Sequence, residues 1–219
     1  MLHPIQRIII PPLLKLVWIK KIEGIKNIPL DGKFVATPNH QSFFDDWIVP
    51  SIIAVYLNRE LHMYVNRKYF RNPLFRWYLN HHKCIPVEVY NSKDKKEVNE
   101  KAFWMAMQYL EKNEPICIYP EGHRSRDGKL QIGKLGAARL AITARVPVLP
   151  IGIIGTREVL PKGKIIPKIK KVITVKIGKP IYFKEYYEKG ASKKILIKAT
   201  NKIMREIGKL IGQKYKNGV

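Results

Sequence analysis

The sequence predicts an α/β domain, a mixed and largely parallel sheet flanked by helices. Three observations lead there. Short apolar runs of strand length alternate with stretches of helical periodicity through most of the 219 residues. No internal repeat and no low-complexity linker divides the chain. Hydrophobic residues are 46% and charged residues 26%, enough of each to fill a core and solvate a surface, and the 14 Gly and 15 Pro follow no period, which excludes collagen-like and disordered chains.

Residues 1–21 join Leu13, Leu14, Leu16, Val17, Trp18 and Ile19 to Arg7, Lys15, Lys20 and Lys21. Pro11 and Pro12 interrupt the apolar run and no small-residue cleavage site follows, so it is not a secretion signal. Two readings stand for it, an element lying in a membrane interface or a helix packed on the domain. The boundary is drawn there, with an interfacial segment at 1–21 and a single folded domain at 22–219.

Strands are expected at 33–37, 62–65, 85–89, 115–119, 148–154 and 172–177, each an apolar run bounded by Gly, Pro, Asn or charge. Helices are expected at 46–56, 73–80, 93–112 with Ser92 as N-cap, and 134–145, the last stopping before Pro147. Beyond Ser192, Leu196, Ala199, Ile203, Ile207, Leu210 and Ile211 recur every three or four residues while Lys194, Lys198, Lys202, Arg205 and Lys209 fill the other face. That is an amphipathic helix capped by Ser192.

Charge narrows the partners. Lys and Arg number 41 against 17 Asp and Glu, a formal +24, and such a field attracts polyanions: nucleic acid, anionic lipid, or acidic substrates and carrier proteins. From residue 157 onward 18 Lys and Arg face 4 Glu, so more than half of the net charge lies there. This surface is either a solvated face of a packed helix or an attractor of anionic lipid. Two cysteines, Cys84 and Cys117, form no paired framework, which suits a reducing cytosol. No apolar stretch approaches the roughly 20 residues that a spanning helix needs.

The chemistry is concentrated in two places. After the first strand the chain reads Thr37-Pro38-Asn39-His40-Gln41-Ser42-Phe43-Phe44-Asp45-Asp46-Trp47. On a continuous helix His40 and Asp45 would point about 140° apart, so they meet only across a turn. A loop curling into a helix near Asp46 lets Asp45 accept a hydrogen bond from one ring nitrogen of His40 and leaves the other as a general base. Asp46 is read as charging the helix N-terminus instead. The second place is Tyr119-Pro120-Glu121-Gly122-His123-Arg124-Ser125-Arg126, at the carboxyl end of an apolar strand, where α/β sheets bind ligands and where Arg124 and Arg126 suit a phosphate.

In combination these residues resemble the glycerolipid (1-acylglycerol-3-phosphate) acyltransferases. Asn39, His40 and Asp45 match that family's Asn-His-x-x-x-x-Asp signature, Tyr119 to Ser125 match Phe-Pro-Glu-Gly-Thr-Arg-Ser with Tyr for Phe and His for Thr, and Val146-Pro147-Val148-Leu149-Pro150 matches an apolar Val-Pro-Val-x-Pro strand. The likeness runs from about residue 22 to 182. Departures fall in the acceptor-binding block, where Asn66 stands at the family's Lys position, with Arg67 and Lys68 adjacent, and Val89 stands at an Arg position.

The resemblance implies a glycerol-3-phosphate acyltransferase-like fold and transfer of a fatty acyl group from a thioester to the free hydroxyl of a lysophospholipid, 1-acylglycerol-3-phosphate giving phosphatidate. His40 and Asp45 would be the catalytic pair. Arg67, Lys68, Glu121, Gly122, Arg124 and Ser125 would bind substrate: Arg124 holds the acceptor phosphate, Arg67 or Lys68 adds a second cation, Glu121 orients the acceptor or braces the loop, and backbone N–H groups near Gly122 serve the oxyanion. Attack is expected to be direct, since no G-x-S-x-G elbow is present and Ser42 is poorly placed for a nucleophile. No cofactor is expected beyond acyl-CoA or acyl carrier protein thioester as co-substrate. No metal is expected either, because His81, His82, Cys84, Cys117 and His123 lack ligand spacing. The expected partners are the lysophospholipid acceptor, the donor and an anionic membrane surface, with peripheral attachment at the cytoplasmic face. Another lyso-lipid acceptor, or a lipid or thioester hydrolase using the same base on water, remains open. A basic nucleic-acid-binding protein would explain the +24 charge and is the weakest alternative, since the basic residues form no RNA-binding signature and a His-Asp turn has no use there.

Overall fold

Alternation along short central strands divides the core of this protein into two apolar layers. A computed structural model describes residues 10–215. Arg7 and the rest of residues 1–9, read above as part of an interfacial segment, and Lys216 lie outside the described residues. The elements run α1 Ile10–Val17, β1 Ile19–Glu23, β2 Val35–Pro38, α2 Asp45–Leu57, β3 His62–Asn66, α3 Pro73–His81 and β4 Ile85–Val87. They continue with α4 Lys95–Glu111, β5 Ile116–Cys117, α5 Gly136–Thr143, β6 Val148–Ile154, α6 Thr156–Val159, β7 Ile173–Ile177 and α7 Lys193–Ile211. Val35, Ile116 and Val148 face Phe103, Leu110, Leu140 and Ile203 of α4, α5 and α7. Their neighbours Ala36, Cys117 and Leu149 face Ile48, Ile52 and Ile53 of α2 and Leu14 of α1.

The seven strands are ordered β1-β7-β6-β2-β5-β3-β4, and every neighbouring pair is parallel except β6 and β7. This is the mixed, largely parallel sheet that the alternating pattern predicts. Strands β2, β3, β5 and β6 therefore end at one edge, and the loops after β2 and β5 meet there.

Several boundaries differ from expectation for identifiable reasons. β1 was not expected. Its sequence Ile-Lys-Lys-Ile-Glu buries Ile19 and exposes Lys20 and Lys21, a charged edge strand that reads as amphipathic helix until β7 supplies a partner. The segment read as interfacial thus enters the sheet at its end. Leu14 is buried in the core, and the Trp18 indole donates to the Lys168 carbonyl at 2.8 Å, while Leu13 and Leu16 are exposed. β4 stops at Val87 because Glu88 exchanges two hydrogen bonds with the Asn99 side chain and is drawn to α4. β5 ends at Cys117, where the chain leaves the ladder toward the loop that follows. α4 begins after Asp94, not Ser92. α5 starts at Gly136, because Lys134 N–H donates to the Pro120 carbonyl at 2.7 Å.

α7 is the amphipathic helix expected. Leu196, Ala199, Ile203 and Ile207 are buried, Leu210 and Ile211 are half-buried, and the lysine face is exposed. Ser192 occupies the N-cap position without a side-chain cap bond, and Gly212 closes the helix with φ +70°. Among the described residues no helix is long and apolar enough to cross a membrane.

Candidate active site

Asn39 sets the first half of the site. Only 1% exposed, its side chain accepts from Ile153 N–H at 2.6 Å and donates to the Ile153 carbonyl at 3.0 Å. These bonds extend the β2–β6 ladder past the end of β2 and fix where the next residue leaves the sheet. The chain then turns tightly into α2, and Oδ2 of Asp45 accepts from Gln41 N–H at 2.7 Å, Ser42 N–H at 2.8 Å and His40 Nδ1 at 2.9 Å. Oδ1 of Asp45 is buried with no partner among the described residues. The pairing assigns the His40 proton to Nδ1 and leaves Nε2 as a base.

The second half is the loop after β5. Tyr119 stacks under the His40 ring, with centroids 3.9 Å apart. Glu121, 1% exposed, accepts from His40 N–H through Oε1 and from Gln131 N–H through Oε2, both at 2.7 Å. Ser125 N–H donates to the His40 carbonyl at 2.8 Å. Both backbone groups of His40 are thus held by a loop more than eighty residues downstream. Gly122 has φ +72°, the left-handed region that favours glycine, and a Cβ there would displace the end of the Lys134 side chain, 2.7 Å away.

Electrostatics follow from this burial. For His40, burial opposes the charged ring, but the hydrogen bond to Asp45 and the negative charges of Asp46, Asp45 and Glu121 outweigh it and raise the pKa above its ordinary 6.5. Burial lifts the Glu121 carboxyl to about 7 against two backbone N–H donors. Burial also raises Asp46, which stands in the first turn of α2 as expected. Burial and the charge of Lys95 lower the pKa of Lys134, a cation beside Gly122 to which the sequence reading gave no role.

The expected site residues fall into two groups. His40, Asp45, Glu121, Gly122, Arg124 and Ser125 come together at one strand edge, with the Arg124 guanidinium 3.6 Å over the Phe43 ring and no salt bridge among the described residues. Within this group, Glu121 and Ser125 are spent on structure. Both Glu121 oxygens are taken, and Ser125, 2% exposed, donates from Oγ to Asp127 and accepts there from Gly128 N–H. The Gly122 N–H donates to the Tyr119 carbonyl at 3.0 Å, a bond within the loop's own turn.

Arg67 and Lys68 follow β3 at the same sheet edge, joined to the first group by the Tyr69 ring, which meets the Phe43 ring edge-on at 5.8 Å. Arg67 is engaged through Nε by Glu88 at 2.6 Å and through its fork by Asp94, and these bonds hold Asp94 down at about 2. Lys68 is exposed over the rings of Tyr69 and Tyr90, 5.0 and 5.5 Å from their centroids. Asn39, Tyr119 and Gln131 were not singled out beforehand. Asn39 and Tyr119 stood inside the quoted motifs, so the signal was present without a role attached.

Residues 20–154 match the Acyltransferase family model, and the chain belongs to that family. It is similar to the chloroplastic 1-acyl-sn-glycerol-3-phosphate acyltransferase BAT2 of Brassica napus, 29% identical over 163 residues that make up 74% of this chain and 44% of that protein. It is also similar to the chloroplastic 1-acyl-sn-glycerol-3-phosphate acyltransferase LPAT1 of Arabidopsis thaliana, 29% identical over 65% of this chain and 38% of that protein. The chain spans less than half the length of these curated relatives. Its fold is similar to that of the 1-acyl-sn-glycerophosphate acyltransferase PlsC of Thermotoga maritima, with a TM-score of 0.64 over 95% of this chain and 80% of that one, at 22% identity.

Proposed function

We propose that this protein transfers a fatty acyl group from an acyl-CoA or acyl carrier protein thioester to the free hydroxyl of 1-acylglycerol-3-phosphate, giving phosphatidate. One observation carries the reading: the His40 ring, 12% exposed, is fixed through Nδ1 by an Asp45 carboxylate that two backbone N–H groups lock in place. His40 Nε2 takes the proton of the acceptor hydroxyl as its oxygen attacks the thioester carbonyl. Asp45 stabilises the imidazolium, and the thiolate leaves as the tetrahedral intermediate collapses, receiving the proton from His40. Arg124 holds the acceptor phosphate, with Lys68 as the second cation. The family, and the named activity of its relatives, support the same chemistry.

The substrates are lipids, so the protein works at a membrane surface, attached peripherally at the cytoplasmic face. Exposed Leu13 and Leu16 and the lysines of α7 support this, the former as apolar contacts and the latter as attraction to anionic headgroups. The test is product identity with a panel of lyso-acceptors and both donor types. Phosphatidate from lysophosphatidate is expected. Free fatty acid at the same rate with and without acceptor sinks the transferase reading in favour of a hydrolase.

A further inference from the structure

Exposed apolar side chains gather on the His40 edge of the sheet. β7 runs antiparallel to β6 and begins where β6 ends, and β1, parallel to β7, begins beside it. The segment between α6 and β7 therefore lies on that edge. Residues 161–171 read Pro-Lys-Gly-Lys-Ile-Ile-Pro-Lys-Ile-Lys-Lys, five lysines and no acid. Ile165, Ile166 and Ile169 are 90%, 77% and 86% exposed, among the most exposed large apolar side chains described. All five lysines are exposed as well.

The loop is anchored. Lys168 N–H donates to the Val159 carbonyl at 2.8 Å, Trp18 Nε1 donates to the Lys168 carbonyl at 2.8 Å, and Lys170 pairs with Glu158 at 2.6 Å. It is also continuous with the site. The Trp18 ring meets Phe44 edge-on at 5.2 Å, and Ser42 Oγ, two residues from His40, donates to the Leu160 carbonyl at 2.7 Å. Three isoleucines held in water on a fixed loop bring no packing gain, and such a patch marks an interaction surface. An acidic protein would answer the lysines and leave the isoleucines unmatched. A bilayer of anionic lipid answers both, taking apolar side chains between acyl chains and lysines at its headgroups.

We propose that residues 161–171 form a membrane-inserting loop, with Ile165, Ile166 and Ile169 entering one leaflet so that the His40 edge faces the lipid. This rests on the lipid chemistry proposed above and adds the surface and orientation with which the protein meets its substrate.

Spin labels test it in the full chain. One is placed by Ile166→Cys and a control by Ile25→Cys, in the turn after β1 on the opposite edge. The native Cys84 and Cys117 are buried and their thiols raised by burial, so neither competes for the label. On vesicles of phosphatidylcholine and phosphatidylglycerol, the label at 166 is expected to gain access to dissolved oxygen and lose access to an aqueous nickel complex, while the label at 25 stays aqueous. The variant I165S/I166S/I169S should keep the parent melting temperature and bind these vesicles at least about tenfold more weakly. Vesicle binding with both labels aqueous overturns the loop assignment, and the acyl-transfer reading then stands or falls on its own assay in detergent. No vesicle binding at all also overturns the assignment. A label at 166 that is buried by acyl carrier protein but not by vesicles gives the loop to a protein partner and overturns it too.

Discussion

His40 and Glu121 are 81 residues apart in sequence, and the His40 backbone N–H donates to Glu121 Oε1 at 2.7 Å. With Ser125 N–H on the His40 carbonyl, this ties the turn after β2 to the loop after β5 through the backbone of the base itself. A proton acceptor must hold its direction within a fraction of an ångström of the attacking hydroxyl, and here the His40 backbone is held by a buried carboxylate and a backbone N–H of the facing loop.

Glu121→Ala is therefore expected to act through position. It leaves the His40 and Gln131 N–H groups without their acceptor, at about 1–3 kcal/mol for each donor that water cannot reach. The melting temperature should fall and kcat should drop well beyond any rise in acceptor KM, as stopped assays over a lysophosphatidate series will read. A variant with unchanged kcat would show that the two loops hold their register without this carboxylate.

The raised pKa of His40 gives activity an acidic limb above 6.5, because only the neutral ring accepts a proton. Asp45→Asn removes the negative charge and weakens the acceptor that together raise it, so the limb should move down in pH while the plateau rate falls. His40→Ala should lose about 10²–10⁴-fold in kcat with the fold retained. A pH profile of kcat that is identical in wild type and Asp45→Asn removes Asp45 from the mechanism.

The His40–Asp45 turn was legible in the sequence because its reasoning is local: a five-residue separation excludes a shared helix face, so a turn was the one way to join them. The central strands were legible for the same reason, each being a short apolar run between breakers. The engagement of Arg67 was not, because Glu88 and Asp94 reach it from just past β4 and just before α4, and no local pattern links them. β1 escaped notice because its inward face is confined to residues such as Ile19 and its partner β7 lies about 150 residues away. Nor could sequence choose for Glu121 between orienting the acceptor and bracing its loop. Burial divides it from Arg124, turning the carboxylate inward to the backbone and leaving the guanidinium on Phe43.

That division separates the effects of two arginines. A charged hydrogen bond to phosphate contributes about 1.5–3 kcal/mol, so Arg124→Ala should raise the acceptor KM by roughly one to two orders of magnitude. Arg67→Ala breaks its pairs with Glu88 and Asp94 and should change the acceptor KM far less, appearing in thermal stability instead. If donor KM moves with Arg124→Ala while acceptor KM stays fixed, the loop after β5 serves the donor.

Stability and activity should respond to pH in opposite directions at this site. Glu121 has a folded pKa of about 7 against an ordinary 4.5, so the folded state holds a proton that the unfolded chain has released over that interval. Its contribution is fully present below 4.5 and is lost as pH rises toward about 7. His40, raised above 6.5, has the same sign and carries the loss further upward. Activity needs neutral His40 and gains over the same upper range, so the site is chemically competent where it is least secured by its protons. Glu121→Gln cannot titrate. Subtracting its melting temperature from that of wild type across pH 4 to 8 should therefore give a difference that declines between about 4.5 and 7 and levels off above. A difference that is flat, or that rises with pH, would mean that the Glu121 carboxyl is ionised throughout and that its burial is offset by the N–H groups of His40 and Gln131.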